Sequence, residues 1–139
     1  MGETFPVYVV DDDPSIRGWA ELMCEDMGLS CRTFSGGDTF LQAVDALEPG
    51  CVLLDMRMPG ADGLAVQTKL AARGRRMPVV AMTGYGDVDV AVQSMRLGAT
   101  EFLEKPLSRQ VLEEALQGAF RRLRPSLEGQ PIADGGDGD

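Results

Sequence analysis

Residues 51–60 read Cys-Val-Leu-Leu-Asp-Met-Arg-Met-Pro-Gly. Val52, Leu53 and Leu54 run straight into one carboxylate, Asp55, and a turn with Pro59 and Gly60 follows at once. A short apolar run bounded by turn signals predicts a strand buried on both faces. An acid at its C-terminal end then lies at the rim of a sheet, where open α/β folds hold their sites. A lone Asp there commonly does no more than start a turn. Two other stretches change that reading. Residues 5–13, Phe-Pro-Val-Tyr-Val-Val-Asp-Asp-Asp, are a second apolar run ending in acids. Residues 100–106, Thr-Glu-Phe-Leu-Glu-Lys-Pro, are a short strand ending in Lys-Pro. Three strand ends that offer a carboxylate cluster, a carboxylate and an ammonium point to one site.

Outward from this stretch the chain alternates strand and helix five times. A first strand over residues 5–10 leads to Asp13, which caps a helix with Pro14 at its favoured first position. Ile16, Trp19, Ala20, Met23 and Met27 form that helix's apolar stripe, and Gly28 ends it. A short second strand spans 30–34, and a second helix spans 37–47 with Phe40, Leu41, Val44 and Leu47. The Cys51–Leu54 strand is third and central. Asp62 caps a third helix over 63–73, with Leu64, Leu70 and Ala71 among its apolar positions. Pro78 opens a fourth strand, Val79 to Met82, and Thr83-Gly84-Tyr85-Gly86 is a loop on glycine grounds. Asp87 caps a fourth helix ended by Gly98, in which Val88, Ala91, Val92 and Met95 form one stripe while Val90 and Leu97 stand off it. A fifth strand, 100–103, precedes a fifth helix capped by Ser108. Its stripe is Leu112, Ala115, Leu116, Ala119, Phe120 and Leu123, and Pro125 stops it. Five such units with short links require right-handed crossovers, a parallel sheet and helices on both faces. The strand ends holding Asp11–Asp13, Asp55, Thr83 and Lys105 then lie together.

Composition narrows the class. A chain of 139 residues with 44% apolar content is one globular domain with room for a real core. No apolar run approaches the length of a membrane span, and no signal peptide is visible at the N-terminus. Cys24, Cys31 and Cys51 lack metal-type spacing and read as reduced core residues of a cytoplasmic protein. There is no histidine, hence neither the commonest metal ligand nor the usual proton shuttle. Net charge is −9; residues 125–139 carry four of the 22 acids and no base, leaving 18 acids against 13 bases in residues 1–124. An acidic domain lacks the electrostatic footprint of direct nucleic-acid binding. The one basic cluster, Arg121, Arg122 and Arg124, reads as a helix end favoured by the helix dipole.

The chemistry follows from hard oxygens. Carboxylates meeting at one rim repel each other, and a cation must offset this. An all-oxygen set suits Mg²⁺, which takes one or two carboxylates and keeps waters, leaving room for a phosphoryl group. A carboxylate can itself be the nucleophile that becomes an aspartyl phosphate. Lys105 is then the candidate cation for the phosphoryl oxygens and the Thr83 hydroxyl the candidate neutral donor.

The runs Val-Val-Asp-Asp-Asp-Pro-Ser-Ile-Arg (9–17), Leu-Leu-Asp-Met-Arg-Met-Pro-Gly-Ala-Asp-Gly (53–63), Met-Thr-Gly-Tyr-Gly (82–86) and Phe-Leu-Glu-Lys-Pro (102–106) together resemble the receiver domain of bacterial two-component response regulators. The resemblance covers residues 5–123, and the Thr-Gly-Tyr-Gly-Asp-Val run is most similar to the FixJ-like type, which usually precedes a helix-turn-helix domain. It implies a flavodoxin-like (βα)5 doubly wound sheet of order 2-1-3-4-5. By position it makes Asp55 the phospho-acceptor, Asp12 a direct Mg²⁺ ligand, Asp11 a ligand through water and Arg57 the donor of a backbone carbonyl to the metal. Thr83 and Phe102 would be the switch pair, Lys105 would sense the phosphoryl group, and Lys105–Pro106 would be cis. Gly84 would leave the site open, with Arg57 and Tyr85 tuning the lifetime of the phosphate. Asp13 is assigned to capping. A sensor histidine kinase is the implied donor, and self-phosphorylation and autodephosphorylation are the implied activities, in a signalling domain rather than a conventional enzyme. Phosphorylation would change the face of helix four, strand five and helix five and promote a homodimer. Residues 1–124 are expected to form the receiver, and 125–139 an acidic, flexible tail or the start of a linker to an output domain.

Three rivals fit less well. A haloacid-dehalogenase-like phosphatase places a second acid two residues after its nucleophile, where this sequence has Arg57, and no cap domain is read here. A flavodoxin-like cofactor carrier needs a phosphate-binding loop where Asp11, Asp12 and Asp13 would repel one. A degenerate receiver acting only as an interaction module would lack part of the site set, which is complete here.

Overall fold

The computed structural model describes residues 4–75, 77–84 and 86–127. Strand and helix alternate as β1 (Val7–Val10), α1 (Pro14–Asp26), β2 (Cys31–Phe34), α2 (Gly37–Ala43), β3 (Cys51–Asp55), α3 (Gly63–Ala72), β4 (Val79–Thr83), α4 (Val88–Arg96), β5 (Glu101–Glu104) and α5 (Arg109–Leu127). The strands form one sheet in the order β2-β1-β3-β4-β5, every neighbouring pair parallel. This is the expected doubly wound, flavodoxin-like (βα)5 arrangement. Its order reverses between β1 and β3, which puts the ends of those two strands side by side at the switch point where open α/β sheets bind their ligands.

Local chemistry sets the helix ends. Asp13 accepts from the Ser15 N–H at 2.9 Å, and Asp62 from the Ala65 N–H at 3.0 Å, each satisfying a donor the helix leaves open. Ser108 does the same for Val111 at 3.2 Å. At the far end of α1, Gly28 has φ +74°, where a side chain would be strained. The chain turns there so that Leu29 donates to the Cys24 carbonyl at 2.8 Å and Gly28 to the Glu25 carbonyl at 3.0 Å. Gly74 and Gly98 close α3 and α4 with the same pair of bonds.

The sheet is buried on both sides, and alternation along β3 shows how. Leu53 packs with Val7, Val9, Val80 and Met82 beneath Ala20 of α1 and Leu112, Leu116 and Phe120 of α5. Leu54 faces the opposite way, with Val10, Phe40, Val66, Leu70 and Val90 of the α2–α4 side. Each such side chain, removed from water, contributes about 1.5–3 kcal/mol before chain entropy is set against it. Cys24 and Cys51 lie in this core and Cys31 is half-buried; all three are free thiols.

Four sequence expectations change. Helix α2 ends at Ala43 and tightens into a single 3₁₀ turn, Val44–Ala46, instead of continuing to residue 47. Pro49 is the cause within reach, because it biases Glu48 and its approach towards extended backbone. Helix α5 passes Pro125 and ends at Leu127. A proline in the last turn takes away one amide donor and crowds the carbonyl four residues back, a cost confined to the helix end. The expected tail, residues 128–139, lies outside the described residues. In α3 the buried apolar positions are Val66 and Leu70, while Ala71 is exposed. The largest change is in α4. Val90 is 8% exposed and joins the core, whereas Val88 is 66% exposed and Val92, Met95 and Leu97 also face outward. The inward face of α4 is centred on Ser94, which donates to Gln67 Oε1 at 2.7 Å while Gln67 Nε2 donates to the Ser94 carbonyl at 3.2 Å. These two bonds satisfy a buried polar pair between α3 and α4, so the helix turns its polar residue in and its apolar stripe out.

Candidate functional site

Asp11 follows β1 and Asp55 ends β3, so the parallel register brings the two carboxylates to one rim. Both are buried. Asp11 Oδ1 accepts from the Asp13 N–H at 2.9 Å, and its Oδ2 accepts from Lys105 Nζ at 2.9 Å. The Lys105 ammonium also stands 3.5 Å from Asp55 Oδ1. Lys105 arrives there from the end of β5, its N–H donating to the Thr83 carbonyl at 2.8 Å, and the Lys105–Pro106 bond is cis. Asp12 is exposed, and Asp11, Asp12 and Asp55 each offer a carboxylate oxygen within 4.8 Å of the others. The loop after Asp55 folds back directly over the strand end: the Gly63 N–H donates to the Met56 carbonyl at 3.3 Å, and a Cβ at Gly63 would overlap Met56 and stand 2.8 Å from the Asp55 carbonyl oxygen. An open cleft of about 520 Å³ lies over the cluster, and Arg57, Gly84, Gly86 and Asp87 form part of its wall.

Burial pushes the Asp55 carboxyl up to about 6, the neighbouring Asp11 charge adds to the rise, and the Lys105 ammonium works against it. Burial likewise works against the Lys105 ammonium, but the hydrogen bond it donates to Asp11 and the charges of Asp11 and Asp55 together hold its pKa above the ordinary value. The site is thus two crowded carboxylates balanced by a single cation. The ligand atoms that Asp11, Asp12 and Asp55 offer are all hard oxygens, a donor set that fits a small divalent cation such as Mg²⁺.

The other expected residues divide. Gly84 lines the cleft and Asp13 caps α1 at its edge. Thr83 is wholly buried at the end of β4, and its hydroxyl donates to the Gly84 carbonyl at 3.2 Å rather than lining the cleft. Phe102 is half-buried on β5, in a shallow apolar depression shared with Ala91, Val92 and Met95 of α4. Tyr85 lies outside the described residues. The Arg57 N–H donates to Asp55 Oδ1 at 3.2 Å, while its guanidinium holds both oxygens of Asp87, at 2.7 and 2.8 Å. Asp87 was expected as a cap. It occupies the N-cap position of α4, yet its side chain makes no capping bond: its ψ of 62° is not the extended form that Asp13 and Asp62 adopt, and both carboxylate oxygens are bonded to Arg57. Spacing gives no signal for this pair, which spans thirty positions in sequence.

A buried acid at the end of the central strand, a facing ammonium and two further acids at the rim of a 2-1-3-4-5 sheet define a flavodoxin-like domain with an acidic site in place of a nucleotide loop. Residues 7–117 match the family model of the response regulator receiver domain, and the chain belongs to that family, in its FixJ-like branch. The transcriptional regulatory protein FixJ of Bradyrhizobium diazoefficiens is 36% identical over 127 residues, which cover 91% of this chain and 62% of that protein. FixJ of Azorhizobium caulinodans is 41% identical over 122 residues, covering 88% and 58%. The crystal structure of FixJ-N superposes with a TM-score of 0.82 at 29% identity, covering 86% of this chain and 95% of that one. Full-length FixJ from B. japonicum gives 0.84 at 35% identity, covering 92% and 63%. The chain therefore spans about three fifths of the length of these curated relatives. Among the described residues, no helix is long and apolar enough to cross a membrane.

Proposed function

We propose that this receiver takes a phosphoryl group onto Asp55 from the phosphohistidine of a sensor histidine kinase. The observation that carries the reading is the position of Lys105, 2.9 Å from Asp11 and 3.5 Å from the acceptor carboxylate at the foot of an open cleft. An Asp55 oxygen attacks phosphorus in line; a P–O bond forms, the P–N bond breaks, and its electron pair leaves with the imidazole. The chain contains no histidine, so the donor is a partner. Lys105 offsets charge gathering on the phosphoryl oxygens, and crowding against Asp11 raises the energy of the unreacted carboxylate. Asp12, Asp55 and the Arg57 carbonyl, with Asp11 behind them, would hold Mg²⁺. When bound, that ion supplies further neutralisation of the phosphoryl oxygens. Attack of water on phosphorus breaks its bond to the Asp55 oxygen, releases inorganic phosphate and returns the free carboxylate, so the state is self-limiting.

Output rests on Thr83 and Phe102. The Thr83 hydroxyl gives up the Gly84 carbonyl for a phosphoryl oxygen, Phe102 moves inward behind it, and the α4–β5–α5 face shifts between two packings. The outward stripe of Val88, Val92 and Met95 supports a phosphorylation-dependent homodimer on this face. By likeness to relatives named as transcriptional regulators, the receiver, residues 1–124, controls a transcription-regulating output segment in the cytoplasm.

Acetyl phosphate with Mg²⁺ should add one phosphate to the native protein and none to Asp55→Asn. Undiminished labelling of the Asn variant would move the acceptor elsewhere.

A further inference from the structure

Among the described residues, three helices begin at an aspartate. Asp13 and Asp62 use their carboxylates as caps, at 2.9 and 3.0 Å from the N–H groups they satisfy. Asp87 sits at the same position of α4 and caps nothing, its carboxylate being held in a bidentate pair by Arg57. Arg57 is 68% exposed, and exposed ion pairs contribute little to stability. Its own N–H is bonded to Asp55 Oδ1, so the arginine is rooted on the acceptor carboxylate and reaches across the cleft to the β4–α4 loop. That loop is also tied to β5, where Glu104 accepts from the Gly86 N–H at 2.9 Å.

We infer that Asp87 couples the acceptor to α4: it holds Arg57 across the cleft while Asp55 is free, and caps α4 once an anion on Asp55 draws Arg57 away. A phosphoryl group brings close to two negative charges and three acceptor oxygens within reach of a guanidinium already anchored beside it. A single carboxylate, paired with an arginine that is itself largely in water, competes poorly with that. Released, Asp87 needs its ψ to open from 62° towards the extended backbone of Asp13 and Asp62, and the open N–H groups of the first turn of α4 are then the donors available to it. Capping stiffens the end of α4 that carries exposed Val88, so the charge change at Asp55 reaches the apolar face through a second route, independent of Thr83 and Phe102. This inference deepens the phosphoacceptor reading and rests on it.

The test reads amide exchange of Asp89 and Val90 with Mg²⁺ and beryllofluoride, a stable stand-in for the phosphoryl group, with binding scored separately by fluorine resonance. In the native protein, exchange should slow by roughly fivefold on binding. Asp87→Ala should bind the mimic with no such slowing. Asp87→Ser, which can cap but cannot hold an arginine, and Arg57→Ala, which frees Asp87, should both be slow before the mimic is added. Bound mimic with unchanged exchange in the native protein, equal slowing in Asp87→Ala, or fast exchange in mimic-free Arg57→Ala each overturns the coupling while leaving Asp55 as acceptor. Failure of the native protein to bind the mimic at all overturns both readings together.

Discussion

At the scale of single residues, the chemistry turns on how closely Asp55 is confined. Its carboxyl is pushed up to about 6 by burial and by Asp11, and its strand end is overlain by a loop so close that residue 63 must be glycine. The position of Asp55 was legible because an acid after a fully apolar strand has one place to go in a parallel sheet. Lys105 was legible for the same reason. The destination of Asp87 was not: an N-cap aspartate looks alike in sequence whether it serves its own helix or an arginine thirty positions away. Phosphate lifetime belongs at this scale too. On the proposed reading, Arg57 drawn to the phosphoryl oxygens would cover the acyl phosphate against water, and Tyr85, two positions after Thr83 in sequence, is the second side chain expected to tune the lifetime. Arg57→Ala should hydrolyse its phosphate severalfold faster than the native protein, with its melting temperature nearly unchanged, and Tyr85→Ala should alter the rate in the same assay. Equal half-lives in the three proteins would remove both side chains from the site.

At the scale of elements, strands were read well and one helix face was not. Strands β1, β3 and β4 are short, buried on both sides and bounded by turn residues, so their apolar runs have no competing reading. Helix α4 deceives a count of apolar residues because its core contact is made by Val90 together with Ser94, whose hydroxyl is satisfied by Gln67. Burying a hydroxyl is cheap once it is hydrogen-bonded, and no hydropathy pattern records the partner. The corrected face strengthens the expectation of a partner surface: Val88, Val92, Met95 and Leu97 all lie outside the core, and Val92 and Met95 line the depression that holds Phe102. A dimer should form or tighten with beryllofluoride in analytical ultracentrifugation. Val92→Glu and Leu97→Glu should weaken it while still binding the mimic. A native protein that stays monomeric at high concentration with the mimic bound would leave this face to the kinase or to an output segment.

At the scale of the whole molecule, the acid cluster is a strain built into the fold. Asp11 and Asp55 sit at adjacent strand ends in the centre of the sheet, and their separation is fixed by the β1–β3 register, so neither can retreat without disturbing a core packed on both faces. Lys105 balances one charge; the cluster with Asp12 carries three carboxylates. A divalent cation that binds the folded state alone must therefore raise stability by mass action. At a tenfold excess over its Kd the gain is roughly 1.4 kcal/mol. For a domain of this size that is a rise in melting temperature of about 5 °C. Asp12 is the exposed member, free of the Lys105 contact, and so the side chain with most to give the metal. Asp12→Ala should melt at or slightly above the native temperature without Mg²⁺, because one repelling charge is gone, and should lose most of the rise when Mg²⁺ is added. A thermal scan of both proteins, with chelator and with Mg²⁺, reads all four values. A native melting temperature indifferent to Mg²⁺ would mean that Lys105 alone suffices to hold these carboxylates together.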